Sequence, residues 1–108
     1  MISKKLRLPR QRFSERPTSR IGSDYFLLKV FKNELGHNRF GVVISAKVDK
    51  RSSRRNFWRR VILDYAKQQT DFGKDLVIIV SPRIRKLTKS MAEQELGEIF
   101  KKVQHISL

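Results

Sequence analysis

Cysteine is absent from this 108-residue chain, and acids are scarce, with 10 Asp and Glu against 25 Lys and Arg. Without thiols there are no disulfides, thiolate metal sites or cysteine nucleophiles. The longest uninterrupted apolar run, residues 76–80, is far too short to cross a bilayer, so no membrane partner is expected. Positive charges near the start have no apolar stretch behind them, which argues against a secretory signal and for a cytoplasmic location. Only two histidines occur: His37 lies in a turn-like stretch and His105 near the end, neither with a neighbour that would complete a triad. The few acids are scattered rather than paired as a two-metal site requires. There is no P-loop, dinucleotide fingerprint or zinc spacing. No catalytic residue, metal ligand or bound cofactor is assigned to the chain, and no small-molecule substrate is expected.

What is abundant is positive charge. The formal net charge is +15, and it is lopsided: residues 1–60 hold 17 Lys/Arg against 4 Asp/Glu, whereas residues 61–108 hold 8 against 6. Such an excess destabilises a compact state through self-repulsion and exceeds what solubility requires. Phosphate backbone is the partner best able to offset it.

The charge concentrates in residues 45–66, SAKVDKRSSRRNFWRRVILDYA. Wound at 100° per residue, Phe57, Trp58, Val61, Ile62, Tyr65 and Ala66 fall on one arc and Arg55, Asn56, Arg59, Arg60 and Lys67 on the other. This predicts an amphipathic helix with a packed face and a cationic face. A solvated helix face usually mixes signs, because like charges three or four apart repel. Between Lys50 and Arg60 six cations stand with no acid, which points to a polyanionic partner.

Around this helix the pattern is that of one small α+β domain. Residues 1–20 carry seven Lys/Arg and two prolines and read as a basic arm, either a tail or a segment ordered on a partner, followed by one domain over residues 21–108. Residues 25–32 (YFLLKVFK) read as a strand and residues 39–45 as a second, antiparallel to it through the turn NELGHN. Residues 46–54 form a loop or a short third strand. The helix runs to about Gln69, with Phe72-Gly73 closing it and Gly73 as its cap. Residues 75–80 (DLVIIV) suit a buried central strand. A last helix starts with capping-box spacing at Ser90 and Glu93 and carries the stripe Leu96, Ile99, Phe100 and Val103. The strand's odd face, Tyr25, Leu27, Lys29 and Phe31, mixes rings with charge and suits either stacking of unpaired bases or core packing.

The central stretch resembles the protein subunit of bacterial ribonuclease P. Ser45-Ala46-Lys47-Val48-Asp49-Lys50 is similar to that family's Ser-Lys-Lys-Val-x-Lys loop. Arg55-Asn56-Phe57 is similar to its Arg-Asn-Arg motif, and Arg59-Arg60 to its Lys-Arg pair. Arg39-Phe40-Gly41 looks like its Arg-x-Gly strand. Departures are Phe57 for the second motif Arg, Ala46 for a cleft Lys, and a first helix shortened or lost between Phe13 and Tyr25.

The resemblance implies a two-layer α+β sandwich shared with a ribosomal-protein domain, containing a left-handed βαβ crossover. It implies a subunit without chemistry of its own: a catalytic RNA, with Mg²⁺, cleaves the 5′ leader from precursor tRNA. Mapped here, Lys50, Arg51, Arg54, Arg55, Asn56, Arg59 and Arg60 would face the ribonuclease P RNA, and Phe13, Tyr25, Lys29, Phe31 and Lys47 the leader. The rival expectation is a structural RNA-binding protein of ribosomal type, with no part in catalysis.

Overall fold

A computed structural model of the chain describes residues 6–69 and 73–104. Its elements are β1 (Ser19–Gly22), β2 (Phe26–Lys32), β3 (Arg39–Val43), α1 (Ser52–Ala66), β4 (Lys74–Val80) and α2 (Lys89–Gln104). Single 3₁₀ turns lie at Arg10–Ser14 and Pro82–Lys86. The strands form one sheet in the order β1-β2-β4-β3, with both helices packed on one face. This is the expected α+β two-layer architecture.

The expected hairpin between residues 25–32 and 39–45 does not form. β4 lies between those strands, antiparallel to β2 and parallel to β3. The reason is burial. Leu76 to Ile78 are almost wholly inaccessible, and a run apolar on both faces is best buried at the centre of a sheet. The true hairpin is β1–β2, closed through Ser23, whose Oγ accepts from the backbone of Tyr25 and Phe26. Residues 46–48 are turn rather than strand.

Residues 6–20 also depart from the expected arm. Leu8 is buried with Phe31 and Val77, its N–H donates to the Phe40 carbonyl at 3.0 Å, and β1 begins at Ser19. An apolar side chain with a cavity to fill and a strand edge to pair holds the segment despite its charge. Residues 1–5 lie outside the described residues.

Two caps shift. α1 ends at Ala66 with Lys67 as its cap, whereas Gly73, at φ +66°, serves the turn into β4 and accepts from Asn33 N–H; Phe72 is outside the described residues. At α2 the cap is Thr88, whose Oγ1 accepts from Met91 N–H at 3.2 Å, two residues before the expected Ser90. Ser90 already lies in the helix, where its hydroxyl cannot reach the first free donors.

Both helical stripes are confirmed. Trp58, Val61, Ile62 and Ala66 of α1 and Leu96, Ile99, Phe100 and Val103 of α2 meet Phe26, Leu28, Val30, Leu76 and Ile78 from the sheet. Phe57 and Tyr65 flank the α1 stripe, half-buried.

Candidate nucleic-acid interface

The helix-free face of the sheet is ordered in three rows across β2, β4 and β3. Phe31, Asp75 and Arg39 form the first, Lys29, Val77 and Gly41 the second, and Leu27, Ile79 and Val43 the third. The first row is sealed. Asp75 is wholly buried and accepts two bonds from Arg39, Nε to Oδ1 at 2.8 Å and Nη2 to Oδ2 at 2.6 Å. It also accepts from Asn33 Nδ2 at 2.7 Å and Arg12 Nε at 3.0 Å. Burial pushes the Asp75 carboxyl up, but the bonds from Arg39 and Asn33 and the charges of Arg39 and Arg12 outweigh it and hold it below the usual carboxylate range.

Arg12 thereby fastens residues 6–14 over this end of the sheet. Its guanidinium lies 5.3 Å from the centre of the Phe31 ring and also binds Glu15 at 2.8 Å. Phe13 comes next, half-buried against the bare backbone of Gly41; a Cβ there would fall 2.3 Å from the Phe13 ring. In the second row Val77 and Gly41 are buried as well, under Leu8 and Phe13, which leaves Lys29 and the third row open. Leu27, Lys29 and Ile79 are half-exposed and Val43 is exposed, and Arg20 of β1 pairs in register with Lys29. The result is an apolar strip beside two cations.

The structure therefore sorts the expected leader residues. Lys29 and Phe13 lie on this open face. Phe31, only 2% exposed, is roofed by Leu8 and Arg12 and is not available to stack on a base. Tyr25 precedes β2 and packs against the helix-side core instead. Lys47 is exposed in the turn before α1, where it lines a hollow with Lys50, Arg51 and Arg85 around Asp49.

The second cationic surface is the polar side of α1. Here the charges are less uniformly free than the sequence implies. Asp49 accepts from the Arg51 backbone N–H and from its guanidinium at 3.1 and 3.0 Å. These bonds lower its pKa to about 2. Arg55 turns back to donate to the carbonyls of Asp49 and Lys50 at 2.8 and 3.0 Å, bracing the loop that opens the helix. Arg54 stacks over Phe57 at 4.7 Å, and Arg59 donates to Asn56 at 3.1 Å. Lys50, Asn56 and Arg60 are exposed.

Sequence reasoning missed Asp75 with Arg12 and Asn33, because the partners are distant in the chain. It also missed Arg20, because Ser19–Gly22 holds one apolar side chain, Ile21, and too little alternation to mark a strand, and Arg85, which only the fold brings to Asp49.

Fold and charge define a small α+β domain with two cationic surfaces. A family model described as Ribonuclease P matches residues 4–104. The chain is 30% identical over 104 residues to the ribonuclease P protein component of Azotobacter vinelandii, covering 93% of this chain and 80% of that one. Among solved structures, a mutant ribonuclease P protein from Staphylococcus aureus superposes with TM-score 0.82 at 19% identity, over 94% of this chain and 90% of that one. The ribonuclease P protein from Thermotoga maritima gives 0.76 at 21%, over 89% and 96%. The chain belongs to the ribonuclease P protein family, as a protein subunit of that endoribonuclease in tRNA processing. The ribosomal-type alternative is not favoured.

Proposed function

We propose that the chain divides its two surfaces between two RNAs. The cationic side of α1 and the loop before it dock on the catalytic ribonuclease P RNA, while the open part of the sheet face, the third row with Lys29 and Arg20, holds the 5′ leader of precursor tRNA. The observation that carries this is the helix-free sheet face, where an apolar strip of Leu27, Ile79 and Val43 runs beside Lys29 and Arg20. An unpaired strand lays bases on such a strip and phosphates against the cations, without sequence-specific contacts. On α1, arginines offer rigid forks that suit phosphate oxygens of a folded RNA.

Cleavage itself belongs to the RNA, with Mg²⁺ supplying the Lewis acid. Asp49 and Asp75, the carboxylates buried among the described residues, are each bound to arginine guanidinium and so are poor ligands for that ion. The protein's contribution is to screen the repulsion between two RNAs and to fix the leader. The setting is the cytoplasm.

The test is cleavage of a precursor tRNA by a bacterial ribonuclease P RNA at low Mg²⁺, with and without the protein. Stimulated cutting at the mature 5′ end is expected. Tight RNA binding without stimulation would remove the leader-holding role.

A further inference from the structure

A notch of about 830 Å³ opens where residues 7–13, β3 and α1 meet. β3 is the last strand of the sheet, and its outer side is only partly covered, by the bridge from Arg7 to Phe40. Leu8, Pro9 and Phe13 wall the notch on the N-terminal side, and Val42 and Leu63 on the other. Its rim is cationic on both banks, with Arg7 and Arg10 facing Arg59 and Arg60. Arg39 also reaches it, but that guanidinium is bound to Asp75.

No acid lines this notch. The other hollows beside α1 differ: one contains Asp64 and Glu93, another Asp49. An apolar recess between two pairs of arginines fits a flat apolar group that carries anions on either side. That is the description of a nucleotide with its flanking phosphates, and the base must be unstacked to enter. Gly41 makes the recess possible, because any side chain there would displace the Phe13 ring that walls it.

We propose that this notch takes one extruded nucleotide of the catalytic RNA, its base between Phe13 and Leu63 and its phosphates on the two arginine pairs. The RNA subunit is preferred as the source because Arg59 and Arg60 continue the polar side of α1 that carries Asn56. The proposal rests on the reading of α1 as the helix that docks on that RNA. It adds a base-accepting site joining the N-terminal segment to the helix.

The test uses equilibrium binding of the full-length chain to a bacterial ribonuclease P RNA over a range of salt. Leu63→Trp fills the notch without changing charge, and should weaken binding about tenfold with an unchanged salt slope. Arg7→Gln with Arg10→Gln, both at exposed positions, should weaken binding and lower the slope by about 1.4, the value for two single-strand phosphates. The chain has no cysteine, so Arg10→Cys carries a photocrosslinker at one place, and its crosslink should map to a nucleotide unpaired in the RNA. A folded Leu63→Trp protein with wild-type affinity, or crosslinks spread over paired segments, would overturn the proposal. A crosslink to the precursor's leader would overturn the choice of occupant. Failure of the unaltered protein to bind the RNA would overturn the docking role of α1 itself, and this site with it.

Discussion

Arg12 and Asp75 stand 63 residues apart and are joined by a 3.0 Å bond from Nε to Oδ2 beneath the N-terminal segment. Through it a basic stretch becomes part of the sheet. Asp75 lies in the row that seals one end of the open face, Arg12 closes over Phe31, and Phe13 is thereby placed on Gly41. Where the family resemblance implies a longer first helix, this chain uses one 3₁₀ turn pinned by a buried carboxylate.

Asp75→Asn should destabilise the protein by about 3 kcal/mol, since it leaves two arginines facing a site without charge. Urea titration measures this. The pH dependence follows from the lowered pKa. The carboxylate's stabilisation is complete above the unfolded value near 3.9 and is lost as pH falls through the lower folded value. The wild-type protein should therefore lose stability more steeply than Asp75→Asn as pH drops from about 5 towards 2.

Arg12→Ala should release the N-terminal segment without melting the sheet. Hydrogen exchange at Leu8, whose amide bonds to the Phe40 carbonyl, is expected to speed up, while amides of β4 keep their protection. Equal loss in both places would show that Arg12 supports the whole fold rather than the segment.

Trp58→Ala should cost about 3–5 kcal/mol, because the indole is 1% exposed at the centre of the helix–sheet core, edge-on to Phe57. A thermal melt with a small shift would contradict its placement.

Arg55 and Arg60 should separate stability from binding. Arg55→Ala removes bonds to two carbonyls and is expected to lower stability by about 1 kcal/mol. Arg60→Ala should leave the melt unchanged and reduce the salt slope of RNA binding by about 0.9. The comparison needs only a melt and a binding series for each variant.

How much of this was legible in the sequence follows from the range of the interactions. The α1 stripe, the buried central strand and the α2 stripe are periodic, local signals, and residues 52–66, 74–80 and 89–104 form those elements. Pairing is not local. The turn chemistry at Asn33 and Gly36 is real, with Asn33 Oδ1 accepting from Leu35 N–H, yet nothing in it tells that β4 will insert between the strands it joins. The same holds for charge. The six cations from Lys50 to Arg60 are legible as an acid-free run, but only the fold shows that Asp49 binds Arg51 and that Arg55 serves the loop. Phe31 and Lys29 share a strand face; the roof of Leu8 and Arg12 makes one core and leaves the other half-exposed.

The central claim is that the open part of the sheet face beside Lys29 and Arg20 holds the leader while α1 holds the catalytic RNA. Its most direct measurement is the affinity of the reconstituted ribonucleoprotein for precursor tRNA with and without its leader, using Arg20→Glu with Lys29→Glu beside the unaltered protein. The account predicts that the variant still assembles with the RNA subunit, while the affinity gained from the leader falls by about tenfold. A variant that assembles and keeps the full leader gain would contradict it.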